Sequence, residues 1–221
     1  MKKNLVSLLL LFLITASLSA QTEEGIWMIG GQVSLSSGNN LRIGSANFPD
    51  TRSTSNTYAI QPSIGYFFKK NWVLGGNIGF QSSNSTLTNN QTGANINQQN
   101  QRSGQAGIFT RKFIPINEQV FFHLQAGVAY TFGTFETIQF ENNPILRKNS
   151  GISLNTRAGI TYFPRRWIAI EGAVNPLNYL FEISKTPQGT GERKERVHSF
   201  STGLNGNFLS LGFNFFISKP R

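Results

Sequence analysis

The chain is expected to fold as an all-β protein, an eight-stranded antiparallel up-and-down transmembrane β-barrel. Three observations lead there. Eight stretches of about ten residues alternate apolar and polar side chains, which is the period of a strand, and the even count lets an up-and-down sheet close. The connections between them alternate short and long. Aromatic residues gather at both ends of the stretches, as they do at the two interfaces of a bilayer.

A secretory-type segment comes first. Lys2 and Lys3 precede an apolar core from Leu5 to Ile14, and the small-residue run 15–20 leads into polar Gln21-Thr22-Glu23-Glu24. An apolar core of about ten residues is too short to cross a bilayer as a helix. Residues 1–20 are therefore expected to be a signal peptide cleaved after Ala20, and 21–221 a single barrel domain. There is no Cys, so neither a disulfide nor a lipid-modified Cys can anchor the chain.

The first stretch, 26–35, places Trp27, Ile29, Val33 and Leu35 on one face and Gly30, Gln32 and Ser34 on the other. The second, 58–68, sets Tyr58, Ile60, Ile64, Tyr66 and Phe68 against Ala59, Gln61, Ser63 and Gly65. Pro62 removes a ladder donor in a sheet with no free edge, so an irregularity is expected there. The third carries Trp72, Leu74, Ile78 and Phe80; the fourth is weaker, with Ala106 and Ile108 opposite Gln105, Gly107, Phe109 and Arg111. The fifth alternates most regularly, from Phe122 through Leu124, Val128 and Tyr130 to Phe132, opposite His123, Gln125 and Thr131. The sixth sets Ile152, Leu154, Ile160 and Tyr162 against Ser153, Asn155, Arg157 and Thr161. In the seventh the apolar parity changes from Ile168, Ile170 and Val174 to Leu177, Tyr179 and Phe181, which predicts a bulge at Pro176. The last ends on Leu209, Leu211, Phe213, Phe215 and Ile217.

A soluble barrel would be apolar inside; this pattern suits the reverse. The second face is mostly Gly, Ala, Ser, Asn and Gln, small enough to fill a narrow lumen. A belt of Trp27, Trp72 and Trp167, with Phe113, Tyr162 and Phe215, falls at the short-connector end, and Phe80, Phe132, Phe135, Tyr179 and Phe181 fall at the other. Ten residues at about 3.3 Å each, tilted near 45°, rise roughly 23 Å, the height of an outer-membrane apolar band.

The short connectors are 69–71, 115–117 and 164–166; the long ones run 38–54, 84–102, 136–149 and 184–197. Short turns and both termini are expected in the periplasm and the long segments outside, with the polar tract 89–101 as a mobile loop. The net charge is +10, and Lys69-Lys70, Arg111-Lys112, Arg165-Arg166, Lys219 and Arg221 lie at the short-connector end. A basic ring there would meet anionic headgroups; a secreted destination argues against nucleic acid.

Arg111, His123, Arg157 and Glu171 fall on the lumenal face, where a buried charge needs a partner. Arg157 and Glu171, at similar depth on neighbouring strands, are expected to pair within a network that fills the barrel. Eight strands enclose little beyond their own side chains, so no wide pore is expected. Two His and no Cys are too few for a metal cluster, and no Gly-rich phosphate loop is present, so neither a metal nor a cofactor is predicted.

Gln61-Pro62-Ser63-Ile64-Gly65-Tyr66-Phe67 and Asn71-Trp72-Val73-Leu74-Gly75-Gly76 resemble the second and third strands of the small outer-membrane β-barrel family, especially its Bacteroidetes members. Ser210, Gly212, Phe215 and Ile217 are similar to the signal that the barrel assembly machinery reads on a last strand, although four residues follow Ile217. The resemblance implies the outer membrane of a Gram-negative bacterium, with membrane lipids and the assembly machinery as partners. The expected role is that of a monomeric, non-enzymatic structural or surface-interaction protein working through its extracellular loops. The alternative is a narrow channel for small or apolar solutes. A lipid A-modifying enzyme using His198 with Ser199, Ser201, Glu192 and Glu195 is a third, since those residue types could form a triad.

Overall fold

A computed structural model describes residues 22–43, 49–139, 144–188, 191–202 and 210–218. The expected signal peptide and cleavage site, Lys219 and Arg221 lie outside the described residues.

Ten β elements follow one another: β1 (Trp27–Arg42), β2 (Thr51–Lys69), β3 (Trp72–Asn89), β4 (Asn95–Pro115), β5 (Val120–Gln139), β6 (Ile145–Arg165), β7 (Ile168–Val174), β8 (Leu177–Gln188), β9 (Gly191–Thr202) and β10 (Ser210–Ile217). All pairings are antiparallel, and β1 to β6 pair in sequence. β7 and β8 then lie end to end along β6, and β10 bridges β7 to β1, which closes a ring of eight strands. β9 extends the hairpin with β8.

Alternation fixes the faces. Ile29 and Val33 are exposed on the outside of β1, while Met28 and Gln32 are buried inside it. The parity change at Pro176 is a true bulge: Val174 pairs with Ala158, but Asn178 pairs with Asn155, so β8 carries one extra residue relative to β6. Pro62 behaves differently. It keeps its place opposite Gly31, whereas the β2–β3 ladder skips from Ile60↔Phe80 to Ser63↔Asn77 without changing register. The missing N–H costs ladder bonds on one side only, and no bulge is needed.

Where they are described, the long connectors are mostly strand rather than loop. The polar tract expected to be mobile lies mostly in β4, and 90–94 alone turns the β3–β4 hairpin. Its turn is built by Asn89, whose Oδ1 accepts from the N–H groups of Gln91 and Thr92, and by Gly93 at φ 71°. A barrel below supplies the template, so Asn, Gln, Ser and Thr need bury nothing to continue the ladder. Polar rungs such as Thr57 Oγ1 to Ser83 Oγ at 2.8 Å and Asn100 Nδ2 to Glu136 Oε2 at 3.2 Å then join neighbouring strands. β4, at 21 residues, rises about 49 Å at 3.3 Å per residue and about 45° tilt, roughly twice an apolar band.

The other end is tight. Asn71 turns β2 into β3 at φ 64°, a conformation Asn tolerates better than most residues. The segment before β1 folds over this turn: Thr22 Oγ1 donates to Asn71 Oδ1 at 2.6 Å, and Gly25 N–H donates to the Phe67 carbonyl at 2.8 Å. At the next turn Asn117 Oδ1 accepts from the N–H groups of Gln119 and Val120, both at 2.8 Å.

Candidate functional site

The lumen is organised in tiers. The first buried residue of each ring strand, counted from the short-turn end, is Met28, Phe67, Val73, Phe113, Phe121, Phe163, Ala169 or Phe216. They form an apolar floor. Phe163 packs on Phe216 at 4.9 Å and edge-on to Phe121 at 5.3 Å between ring centroids, while Phe67 stacks on Phe113 at 5.7 Å. Ile26, from the segment before β1, joins the same cluster. Phe113, expected in the outer aromatic belt, is therefore part of the floor, and Phe135 also has inward parity on β5.

The next tier holds Gly30, Gly65 and Gly75 on β1–β3 and Arg111, His123, Thr161, Glu171 and Asn214 on the other five ring strands. Small residues on one side give large polar ones room to cross. Arg111 is the hub. Its Nη1 meets Glu171 Oε2 at 2.8 Å, its Nε donates to Gln125 Oε1 at 2.9 Å, and its guanidinium carbon lies 5.6 Å and 5.7 Å from the ring centroids of Phe109 and Phe113. Both partners of this ion pair are only 2% exposed. Gln32 Nε2 donates to the same carboxylate at 3.3 Å, and His123 Nδ1 lies 2.8 Å from Thr161 Oγ1.

The expected Arg157–Glu171 pair does not form. Glu171 reaches across the lumen from β7 to β4, because Arg111 lies in its own tier and Arg157 two inward positions above Thr161. Arg157 instead donates to Gln61 Oε1 at 3.2 Å and Asn175 Oδ1 at 3.3 Å. Neither of the two ion pairs among the described residues includes it. Arg111, turned inward, also leaves the basic ring, whereas Lys112 lies outside with its Nζ 5.3 Å from the Trp72 ring centroid.

The belt residues sit together at the short-turn end. Trp27 packs against Tyr66 at 5.1 Å, Trp72 against Phe68 at 6.5 Å, and Trp167 against Phe215 at 6.1 Å. On β10, Ser210 and Gly212 point inward and Phe215 and Ile217 outward. Gly212 has a packing role of its own: a Cβ there would stand 2.6 Å from Glu171 Cγ. Gly159 likewise makes room for His123, whose Cε1 a Cβ would meet at 2.8 Å.

Strand alternation separates the residues of the hypothetical triad. His198 packs at a tilt against Phe181, and its Nδ1 lies 2.8 Å from the Tyr179 hydroxyl on the outward face of β8–β9. Ser199, Ser201 and Glu195 have the opposite parity; Glu195 pairs with Arg193 at 2.6 Å, and Glu192 is six residues along β9 from His198. Among the described residues no group of three or more His, Cys, Asp and Glu could hold a metal.

The floor was not anticipated from the sequence, yet it leaves a trace there. Beside each short turn alternation breaks into aromatic neighbours: Tyr66-Phe67-Phe68, Phe121-Phe122, Tyr162-Phe163 and Phe215-Phe216. One residue of each closes the lumen and its aromatic neighbours face out.

No protein-family model and no curated protein sequence matches the chain. Solved structures do. The crystal structure of the outer membrane protein OprG from Pseudomonas aeruginosa aligns with a TM-score of 0.52 at 12% identity, covering 91% of this chain and 100% of that one. The outer membrane protein AlkL, determined by solid-state NMR in DMPC bilayers, gives 0.47 at 14% identity with 93% and 96% covered. Neisserial surface protein A gives 0.40 at 12% identity with 87% and 97% covered. The likeness to OprG is one of fold: that of a small outer-membrane β-barrel.

Proposed function

We propose that this chain is an outer-membrane barrel of a Gram-negative bacterium that acts as a structural and surface-interaction protein through its projecting β hairpins. The observation that carries this is the apolar floor, with one residue from each ring strand and none more than 6% exposed. A lumen shut by side chains in van der Waals contact gives water and ions no continuous path. The Arg111–Glu171 crosspiece lies directly on that floor. Both support a plug rather than a pore. The short basic turns and both termini then face the periplasm, where Lys69, Lys70, Lys112 and Arg165 lie at the level of anionic headgroups. The hairpins project outside. Biogenesis would use the last-strand residues Ser210, Gly212, Phe215 and Ile217 as the assembly signal, and the barrel is proposed to work as a monomer.

Purified protein reconstituted in planar bilayers is expected to show no discrete conductance steps, even at high protein density. Regular steps from the wild-type protein would contradict the closed lumen.

A further inference from the structure

On the outward face above the apolar band, three lysines occupy one rung: Lys148 on β6 is directly opposite Lys185 on β8, which is directly opposite Lys194 on β9. All three are exposed, and neither ion pair among the described residues includes them. Like charges directly opposite across a sheet repel, so such a row is unfavourable without an anion to bridge it. The surrounding face offsets this only in part. The remaining cross-strand neighbour of Lys148 is Thr134, while the acids of the same parity, Glu136 and Glu192, sit opposite Leu146 and Pro187 and are diagonal neighbours of Lys148 and Lys185. Arg196, opposite Ile183, adds a fourth cation just below the row.

Height identifies the kind of anion. Outward positions on β8 run Phe181, Ile183, Lys185, and on β9 Phe200, His198, Arg196, Lys194. Lys148 lies four residues beyond outward Ile152, about 9 Å higher at 3.3 Å per residue and a tilt near 45°. A headgroup layer is about 5–7 Å deep on each side of the hydrocarbon core, and lysine stems can bend towards it. Below the row, Phe200 is 68% exposed, which offers an apolar shelf at acyl-chain depth.

We propose that Lys148, Lys185, Lys194 and Arg196 form a binding site for the phosphate groups of a phosphorylated glycolipid in the outer leaflet, with its acyl chains against Phe181 and Phe200. The proposal rests on the orientation given above, with the hairpins outside.

The test uses the full-length mature barrel in detergent, titrated with a bisphosphorylated acylated disaccharide lipid, its dephosphorylated counterpart or inorganic phosphate, and read by native mass spectrometry. The wild-type protein is expected to bind the phosphorylated lipid at least tenfold more tightly than the dephosphorylated one. The triple variant Lys148→Gln, Lys185→Gln, Lys194→Gln should lose that preference while keeping the wild-type heat-dependent gel shift. A control with Lys69, Lys70 and Lys112 changed to Gln should keep it. Equal binding of both lipids, an unchanged preference in the triple variant, or full displacement of the lipid by an equimolar amount of inorganic phosphate would each overturn the proposal. Binding in detergent does not depend on sidedness, so a failed orientation, read separately from labelling of Gln91→Cys on whole cells, is distinguishable from a failed site.

Discussion

Arg111→Met is expected to destabilise the barrel by about 3–5 kcal/mol, the usual cost of removing one partner from a buried ion pair. The change strands the Glu171 carboxylate in a lumen where both groups are 2% exposed and leaves Gln125 Oε1 without its 2.9 Å donor. Adding Glu171→Leu should recover most of the loss, since an apolar pair of similar volume often replaces a buried ion pair at little net cost. Urea unfolding in micelles, followed by tryptophan fluorescence, measures both variants. If the double variant is as unstable as the single one, the ion pair is not what holds this tier.

Phe163→Ala should cost about 3–5 kcal/mol through lost burial and the cavity left behind. Its ring is fully buried between Phe121 and Phe216, at centroid distances of 5.3 Å and 4.9 Å, and its N–H donates to the Gln119 carbonyl, which ties the floor to the turn beneath. Ile78→Ala, half-exposed on the outward face of β3, is the control and should cost much less, because it opens no cavity in the floor. Equal losses for the two would mean that the floor is no more tightly packed than the outer surface.

The sequence is most informative where one physical cause dominates. Period-two alternation between a small-residue and polar lumen and an apolar exterior fixes both faces of β5, and the parity change at Pro176 locates the bulge between β7 and β8. Two features were hidden for different reasons. The tract around Asn97 to Gln101 looks like a loop because composition reports burial, and these residues bury little; their strand is held by a ladder that begins in the barrel below. The Arg111–Glu171 pair was hidden because sequence shows neighbouring strands but not which side chains are long enough to cross a narrow lumen. Arg157 looked like the natural partner until its Gln61 and Asn175 contacts placed it higher. The aromatic floor leaves only a short signal, the aromatic neighbours beside the turns, because loss of alternation there resembles the end of a strand.

Sidedness is the premise beneath the proposed role and the lysine row alike, and the absence of Cys makes it directly measurable. Gln91→Cys at the β3–β4 hairpin and Glu118→Cys at a short turn both place an exposed thiol without disturbing a side-chain contact in the turns. A polymer-linked maleimide too large for porins should label Gln91→Cys on intact cells and Glu118→Cys only after the outer membrane is permeabilised. Labelling of Glu118→Cys on intact cells while Gln91→Cys stays protected would contradict an outer-membrane barrel with its hairpins outside.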